Sequence, residues 1–194
     1  MPEGGRVIGG NARGIRLETP RRSATRPLAD RVKESLFGAL EAAGALDGPF
    51  LDLFAGIGSG GIEALSRGAP RATFVEHDGK TCDIIGANLR RAHLEGGRVV
   101  RADAVAFLKN GRPKSEEAYR TSLLDPPYGD PVLGRALDLV AAKDKDWLVP
   151  GATVVVKHFW RDEMPESVGV LTRDRLKRFG ETSLTFYTRA EEGA

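Results

Sequence analysis

A chain of 194 residues, 41% hydrophobic and 29% charged, has the size and balance of one ordinary domain with a buried core. A net charge of +2 excludes attraction to a polyanion by overall charge, so any nucleic-acid contact must come from local clustering. The single cysteine, Cys82, excludes an internal disulfide and a thiolate metal cluster, and is read as a small core residue in a helix. No apolar run has the length of a bilayer span, and Met1-Pro2-Glu3-Gly4-Gly5 lacks the apolar core of a secretion signal, so a cytoplasmic protein without membrane contact is expected.

Residues 1–27 read as a basic arm ahead of a single domain over 28–194. Arg6-Val7-Ile8-Gly9-Gly10 and Ile15-Arg16-Leu17-Glu18 have the pattern of two short strands joined by a tight or bent connection over residues 11–14. Arg6, Arg13, Arg16, Arg21, Arg22 and Arg26 crowd here against Glu3 and Glu18. Such a field suits nucleic-acid phosphates, although a solvated basic tail has the same composition. Leu28, Val32, Leu36, Ala39 and Leu40 recur at three- and four-residue steps and predict a helix over 28–44, with Arg31, Lys33 and Glu34 off its apolar stripe.

The next stretch, Phe50-Leu51-Asp52-Leu53-Phe54-Ala55-Gly56-Ile57-Gly58-Ser59-Gly60-Gly61, reads as a buried strand running into a glycine loop and then a helix. Glycines alone are weak testimony, because dinucleotide and phosphate sites use them too. The absence of Gly-Lys-Ser/Thr excludes a nucleotide-triphosphate loop. Asp52, inside the strand, would repel a pyrophosphate but suits the ammonium of an amino-acid cofactor, and the pattern resembles the first motif of Rossmann-like methyltransferases. Ala72-Thr73-Phe74-Val75-Glu76 is the second strand, and Glu76 has the position that suits ribose hydroxyls. A helix over 80–94 follows, opened by Asp78 as a possible cap, then a short strand at Val99-Val100. Asp103 has two compatible readings: a cap for the helix that runs through Phe107-Leu108, or an acceptor for an adenine amino group.

Residues 110–121 read as a surface loop, and Arg120-Thr121-Ser122-Leu123-Leu124 as a strand that ends in Asp125-Pro126-Pro127-Tyr128-Gly129. Two prolines end sheet pairing and stiffen the backbone. The Asp125 carboxylate and the Pro126 carbonyl can then accept from one –NH2 group while the Tyr128 ring stacks on the heterocycle that carries it. A proline-rich turn with Tyr128 merely packed is the plain alternative. The tetrapeptide resembles the motif of S-adenosylmethionine-dependent amino-methyltransferases. Beyond it come a helix over 132–142, a turn at Trp147-Leu148-Val149-Pro150-Gly151, and a buried strand Ala152-Thr153-Val154-Val155-Val156. Two further strands are expected near 168–171 and 183–187, with Arg173, Arg175, Lys177 and Arg178 between them.

Alternation of strand and helix over 50–156 predicts an open, doubly wound α/β sheet, in which ligands sit beyond the carboxyl ends of strands. The chemical candidates all fall at such ends. Over nearly its full length the chain resembles the bacterial small-subunit ribosomal RNA guanine-N2 methyltransferases. The resemblance is carried by Arg6-Val7-Ile8-Gly9-Gly10 with Arg13-Gly14, by Thr25-Arg26-Pro27, by Asp30-Arg31-Val32-Lys33-Glu34-Ser35-Leu36-Phe37, and by the motifs above with Phe179-Gly180-Glu181-Thr182. It implies a Rossmann-like sheet with an N-terminal basic hairpin arm. It implies S-adenosylmethionine held by Asp52, Phe54, Ala55, Gly56, Gly58, Ser59 and Gly60 from the first strand and loop. Glu76, His77, Asp103 and Ala104 would complete that site, with Asp125, Pro126 and Tyr128 at the target guanine. RNA contacts would fall to Arg6, Arg13, Arg16, Arg21, Arg26 and Arg31, on a substrate presented by the small ribosomal subunit to a monomeric enzyme. The chain departs from the family pattern at Leu28, Gly38 and Lys157-His158, where threonine, asparagine and an acidic strand end are usual. An amino-methyltransferase acting on another base, such as the N6 of DNA adenine, is the competing reading, and 194 residues leave it little room for a target-recognition region.

Overall fold

The computed structural model describes residues 5–20 and 29–191. In chain order the elements are α1 (Asp30–Ala42), β1 (Phe50–Leu53), α2 (Ser59–Ser66), β2 (Ala72–Glu76), α3 (Gly79–Arg91), β3 (Gly97–Arg101) and α4 (Ala104–Lys109). β4 (Tyr119–Leu124), α5 (Val132–Ala141), β5 (Leu148–Phe159), β6 (Ser167–Val168), β7 (Leu171–Phe179) and β8 (Thr182–Arg189) complete them. One sheet runs in the order β3-β2-β1-β4-β5-β8-β7-β6. Its first five strands are mutually parallel, and β8, β7 and β6 add an antiparallel flank to β5.

Two apolar layers cover the sheet, and alternation along β1 divides its side chains between them. Phe50 stacks on Phe37 of α1 and shares one layer with Leu40 of α1, Ile62 of α2 and Ile85 of α3. Leu51 and Leu53 join Leu108 of α4, Leu137 and Val140 of α5, and Trp147 on the other. Crossovers that alternate faces in this way produce a doubly wound sheet, as the sequence predicts.

Three local readings need correction. The stretch Arg173 to Arg178 is not a connection but the body of β7. Only Leu171 of that strand is buried, so its charged, solvent-facing pattern hides the strand period. Leu148 to Gly151 is not a turn ahead of a strand but the start of β5, interrupted by a bulge where the register with β4 shifts between Tyr119 and Thr121, and a proline is tolerated at such an interruption. Cys82 is only half-buried on α3 and is no core residue.

The described part of the basic arm is a hairpin turn with one bridge, Arg6 to Arg16, rather than two strands. It is docked, not projecting: Val7, Ala12 and Leu17 are buried in the layer that holds α1 to α3. The fastening is polar. Glu63 of α2, fully buried, accepts from the backbone N–H groups of Ile8 at 3.0 Å and Gly9 at 2.8 Å, from Lys33 at 3.2 Å and from Arg67 at 2.8 Å. Lys33 is equally buried and also donates to the Arg6 carbonyl; burial lowers its pKa against the pull of Glu63. Ser66 binds both the Ala12 N–H and the Gly9 carbonyl, and Asn88 holds both backbone groups of Glu18. At Gly10 (φ 72°) a Cβ would lie 1.7 Å from the Ser66 carbonyl oxygen, so only glycine fits. The arginines Arg21 and Arg26 and the expected helix start at Leu28 lie outside the described residues.

Glu63→Ala would leave Lys33 buried without its counter-charge and two backbone donors unsatisfied. Urea denaturation should show a loss of about 3–5 kcal/mol; a loss below about 1 kcal/mol would mean that this carboxylate does not fasten the arm.

Candidate active site

The order of strands reverses between β1 and β4, and a crevice opens there at the carboxyl ends. It holds a cavity of about 870 Å³ walled by Asp52, Glu76, Asp103, Asp125, Pro126, Tyr128 and Lys157, among others. Of the residues expected to hold the cofactor, Phe54, Ala55, Gly56, Ser59, Gly60, His77 and Ala104 also line it. Gly58 does not reach the wall. It stands behind it as the residue before α2, where a Cβ would press on Ile85, Ile62 and Phe74.

The loop after β1 is built for close approach. Phe54 and Gly56 take positive φ values of 63° and 54°. A Cβ on Gly60 would meet Leu123 at 2.6 Å and the Asp52 carboxylate at 3.0 Å, so glycine there lets α2 start against the ends of β1 and β4. The first amides of α2 point toward the crevice end of the sheet with nothing ahead of them in the helix. One of them, Gly61 N–H, donates to Asp52 at 2.7 Å. Burial drives the Asp52 carboxyl up to about 8; the Gly61 hydrogen bond opposes this, while Asp125 and Glu76 add to it. The Ser59 hydroxyl is buried on this wall without a hydrogen-bond partner among the described residues.

Glu76, buried at the end of β2, accepts from Gly56 N–H through one oxygen and from Asp78 N–H through the other, both at 2.9 Å. The oxygen facing Gly56 therefore keeps a lone pair for a hydroxyl. His77, largely exposed, places Nδ1 3.0 Å from the same carboxylate. Asp78 caps α3 by accepting from Thr81 N–H, and Asp103 caps α4 by accepting from Ala106 N–H at 2.8 Å. The capping role of Asp103 is thus established, and it still faces the cavity.

At the end of β4, Asp125 is ion-paired with Lys157 of β5. Burial raises its carboxyl to about 6, against the stabilising charge and hydrogen bond of Lys157. The Lys157 ammonium also lies 5.1 Å from the centre of the Tyr128 ring. Tyr128 is 45% exposed, and its hydroxyl shares a 2.6 Å hydrogen bond with Thr182 of β8. Sequence reasoning missed Lys157 and Thr182 as site residues. Lys157 had a signal, being a cation at a strand end. Thr182 stood in a segment that carries the resemblance, but its place at the site was hidden, because only the fold brings β8 to this edge. The exposed arginines Arg6, Arg13, Arg16 and Arg31 lie off the cavity wall, and Arg6 pairs with Asp30 at 2.9 Å.

The class that this fold and crevice define is the Rossmann-like methyltransferase. An RNA methyltransferase of Salinibacter ruber, solved in complex with S-adenosyl-L-homocysteine, shares the fold with a TM-score of 0.61 at 21% identity, over 87% of this chain and 97% of its own. The family described as Conserved hypothetical protein 95 matches residues 5–188. The chain is 33% identical over 189 residues to ribosomal RNA small subunit methyltransferase D of Escherichia coli, covering 97% of this chain and 91% of the relative. It is 36% identical over 191 residues to the Bacillus subtilis protein YlbH, covering 95% and 98%. The solved yhhF protein of Escherichia coli superposes with a TM-score of 0.82 at 32% identity, over 96% of this chain and 98% of that one. The chain belongs to this family of ribosomal RNA small subunit methyltransferases.

Asp52 binds its proton more tightly in the folded protein than in the unfolded chain. The ligand-free protein should therefore lose stability as pH rises from about 4 to about 8 and change little above that. Asp52→Asn should raise the ligand-free Tm at pH 8 by about 5–10 °C and flatten this slope. A variant that melts lower at pH 8 would show that the buried carboxylate is satisfied without a ligand.

Proposed function

We propose that this protein transfers a methyl group from S-adenosylmethionine to the exocyclic N2 of a guanine in small-subunit ribosomal RNA. The observation that carries this reading is that two acceptors and a ring, Asp125, Pro126 and Tyr128, line the same cavity as Asp52, Ser59 and Glu76. The latter three fit S-adenosylmethionine. Asp52 and the unpartnered Ser59 hydroxyl suit its ammonium and carboxylate, and the start of α2 favours the latter. Glu76 suits the ribose, and Asp103 the adenine. Bound there, the cofactor supplies an electrophilic methyl on a sulfonium.

The protein's own share is alignment and electrostatics. The lone pair of a guanine N2 is delocalised into the ring, so the nitrogen must be held in line with the methyl carbon. The Asp125 carboxylate and the Pro126 carbonyl are preplaced to accept its two N–H bonds and to stabilise the positive charge that grows on nitrogen. Lys157 keeps Asp125 ionised at neutral pH, which an isolated buried carboxyl would resist. Tyr128, tethered to Thr182, supplies a face for the base. A base within a duplex cannot reach this crevice, so the target is unstacked or flipped. Arg6, Arg13, Arg16 and Arg31, with Arg21 and Arg26, contact RNA phosphates. The substrate is presented by an assembled or assembling small subunit, and the enzyme acts as a cytoplasmic monomer.

Small-subunit particles lacking the modification, incubated with enzyme and methyl-labelled cofactor, should yield labelled N2-methylguanosine on nucleoside analysis; label in adenosine or in no nucleoside would overturn the reading. Asp125→Ala should lower kcat by about a hundredfold or more with cofactor affinity nearly unchanged. The wild-type rate should fall as pH drops through about 6, where Asp125 takes up a proton and ceases to be an ionised acceptor.

A further inference from the structure

The carboxyl edge of the sheet continues past the cavity onto β5, β7 and β8. That extension carries rings and cations that the reading above leaves unused. β5 ends at Phe159 and is followed by Trp160 and Arg161; β7 ends with Arg178 and Phe179, and the chain returns through Gly180 and Glu181 into β8. Phe159 pairs with Thr182 in the ladder, and Trp160 N–H donates to the Glu181 carbonyl at 3.0 Å, so the two turns are tied together. Thr182 is also the partner of the Tyr128 hydroxyl.

Three rings lead outward from the base pocket. The Tyr128 and Phe159 centroids are 6.1 Å apart, and those of Phe159 and Trp160 are 6.1 Å apart. At the outer end two guanidinium groups lie against the half-buried indole of Trp160, with Arg178 at 3.8 Å and Arg161 at 4.8 Å from the ring centre. Both arginines are exposed. Arg178 Nε donates to the Gly180 carbonyl at 2.9 Å, which fixes the plane of that guanidinium and leaves its terminal amino groups for a ligand.

Planar cations held on an indole have already lost much of their rotamer freedom, and they offer both donors for a phosphate and a face for a base. Aromatic rings interleaved with such cations along an open edge are what single-stranded nucleic acid requires. The nearby acids set a limit. Asp162 accepts from Phe159 N–H at 3.1 Å, while Glu163 and Glu181 are exposed and disfavour a long phosphate track. The ligand that fits is therefore a short one, next to the flipped base.

We propose that Trp160, Arg161 and Arg178 form a subsite for the nucleotide flanking the target guanine. The guanidiniums take its phosphate and stack on its base while the guanine enters beside Tyr128. This rests on the RNA-methylating reading above, and it locates an RNA contact far from the basic arm in sequence and next to the reacting base in space.

The test uses the full chain and small-subunit particles. Arg161→Gln with Arg178→Gln should raise KM for particles about tenfold, with kcat and S-adenosylmethionine affinity within about twofold of wild type. A second readout is intrinsic fluorescence. The chain has two tryptophans, and Trp147 is only 1% exposed. A short single-stranded RNA should therefore quench emission through Trp160, and the change should vanish in Trp160→Phe. A double variant with wild-type KM, or quenching that persists in Trp160→Phe, would overturn the subsite while leaving methylation by the wild type intact. A wild-type enzyme that modifies no particle would overturn the reading on which the subsite rests, and the subsite with it.

Discussion

Carboxylates crowd the ends of neighbouring parallel strands, and the site is organised around the cost of burying them there. Asp52 on β1, Glu76 on β2 and Asp125 just past β4 share one crevice: Asp52 pairs with Phe74 and Leu123, so Glu76 and Asp125 each lie two residues further toward the carboxyl edge. Each is satisfied differently. Glu76 spends its oxygens on the backbone of the loop that it faces. Asp125 is offset by Lys157. Among the described residues Asp52 accepts from the Gly61 N–H alone, and burial leaves it holding its proton close to neutrality. A cation brought to Asp52 and hydrogen-bond donors brought to Asp125 and Glu76 would relieve this strain, and an amino-acid cofactor with a ribose and a target amine supply those groups. The proposed ligands thus match electrostatics that the folded chain does not satisfy internally.

A second buried carboxylate solves a different problem. Glu63 gathers two backbone donors of the arm and the cations of Lys33 and Arg67 at the middle of α2, a helix buried along its length. The arm is thereby fixed to the same helix whose start borders the crevice cavity. Asn88 strengthens the link, since its amide donates to the Ile57 carbonyl in the glycine loop as well as to Glu18. The arm's described residues are therefore part of the scaffold and carry their arginines on its surface. Removing the arm as a whole would disturb the core, so its role in RNA binding is best approached through single arginines.

Much of the fold was legible because the central strands are short apolar runs punctuated by glycine and acid. Phe50-Leu51-Asp52-Leu53 and Ala72-Thr73-Phe74-Val75-Glu76 could hardly be other than buried strands, and the sheet confirms both with their acids at the expected ends. The flank beyond β5 was harder. β7 buries a single residue, so pattern gave no purchase, and its arginines looked like a linker. That Asp52, the glycine loop and Glu76 line one cavity was readable from local motifs, because one loop supplies most of that lining. Lys157 and Thr182 were not, since their place beside Asp125 and Tyr128 depends on pairings between β4, β5 and β8. The same reason hid Glu63: a carboxylate in a helix reads as surface until the arm is laid over it.

The central claim is that Asp52 is a buried acid awaiting the ammonium of the cofactor. Calorimetric titration of the protein with S-adenosylmethionine at pH 7, in buffers of differing ionisation enthalpy, measures this directly. The account predicts that binding releases a proton as Asp52 ionises against the ammonium, and that Asp52→Asn binds more weakly with no such release. Tight binding that is proton-neutral in the wild type and unchanged by Asp52→Asn would contradict it.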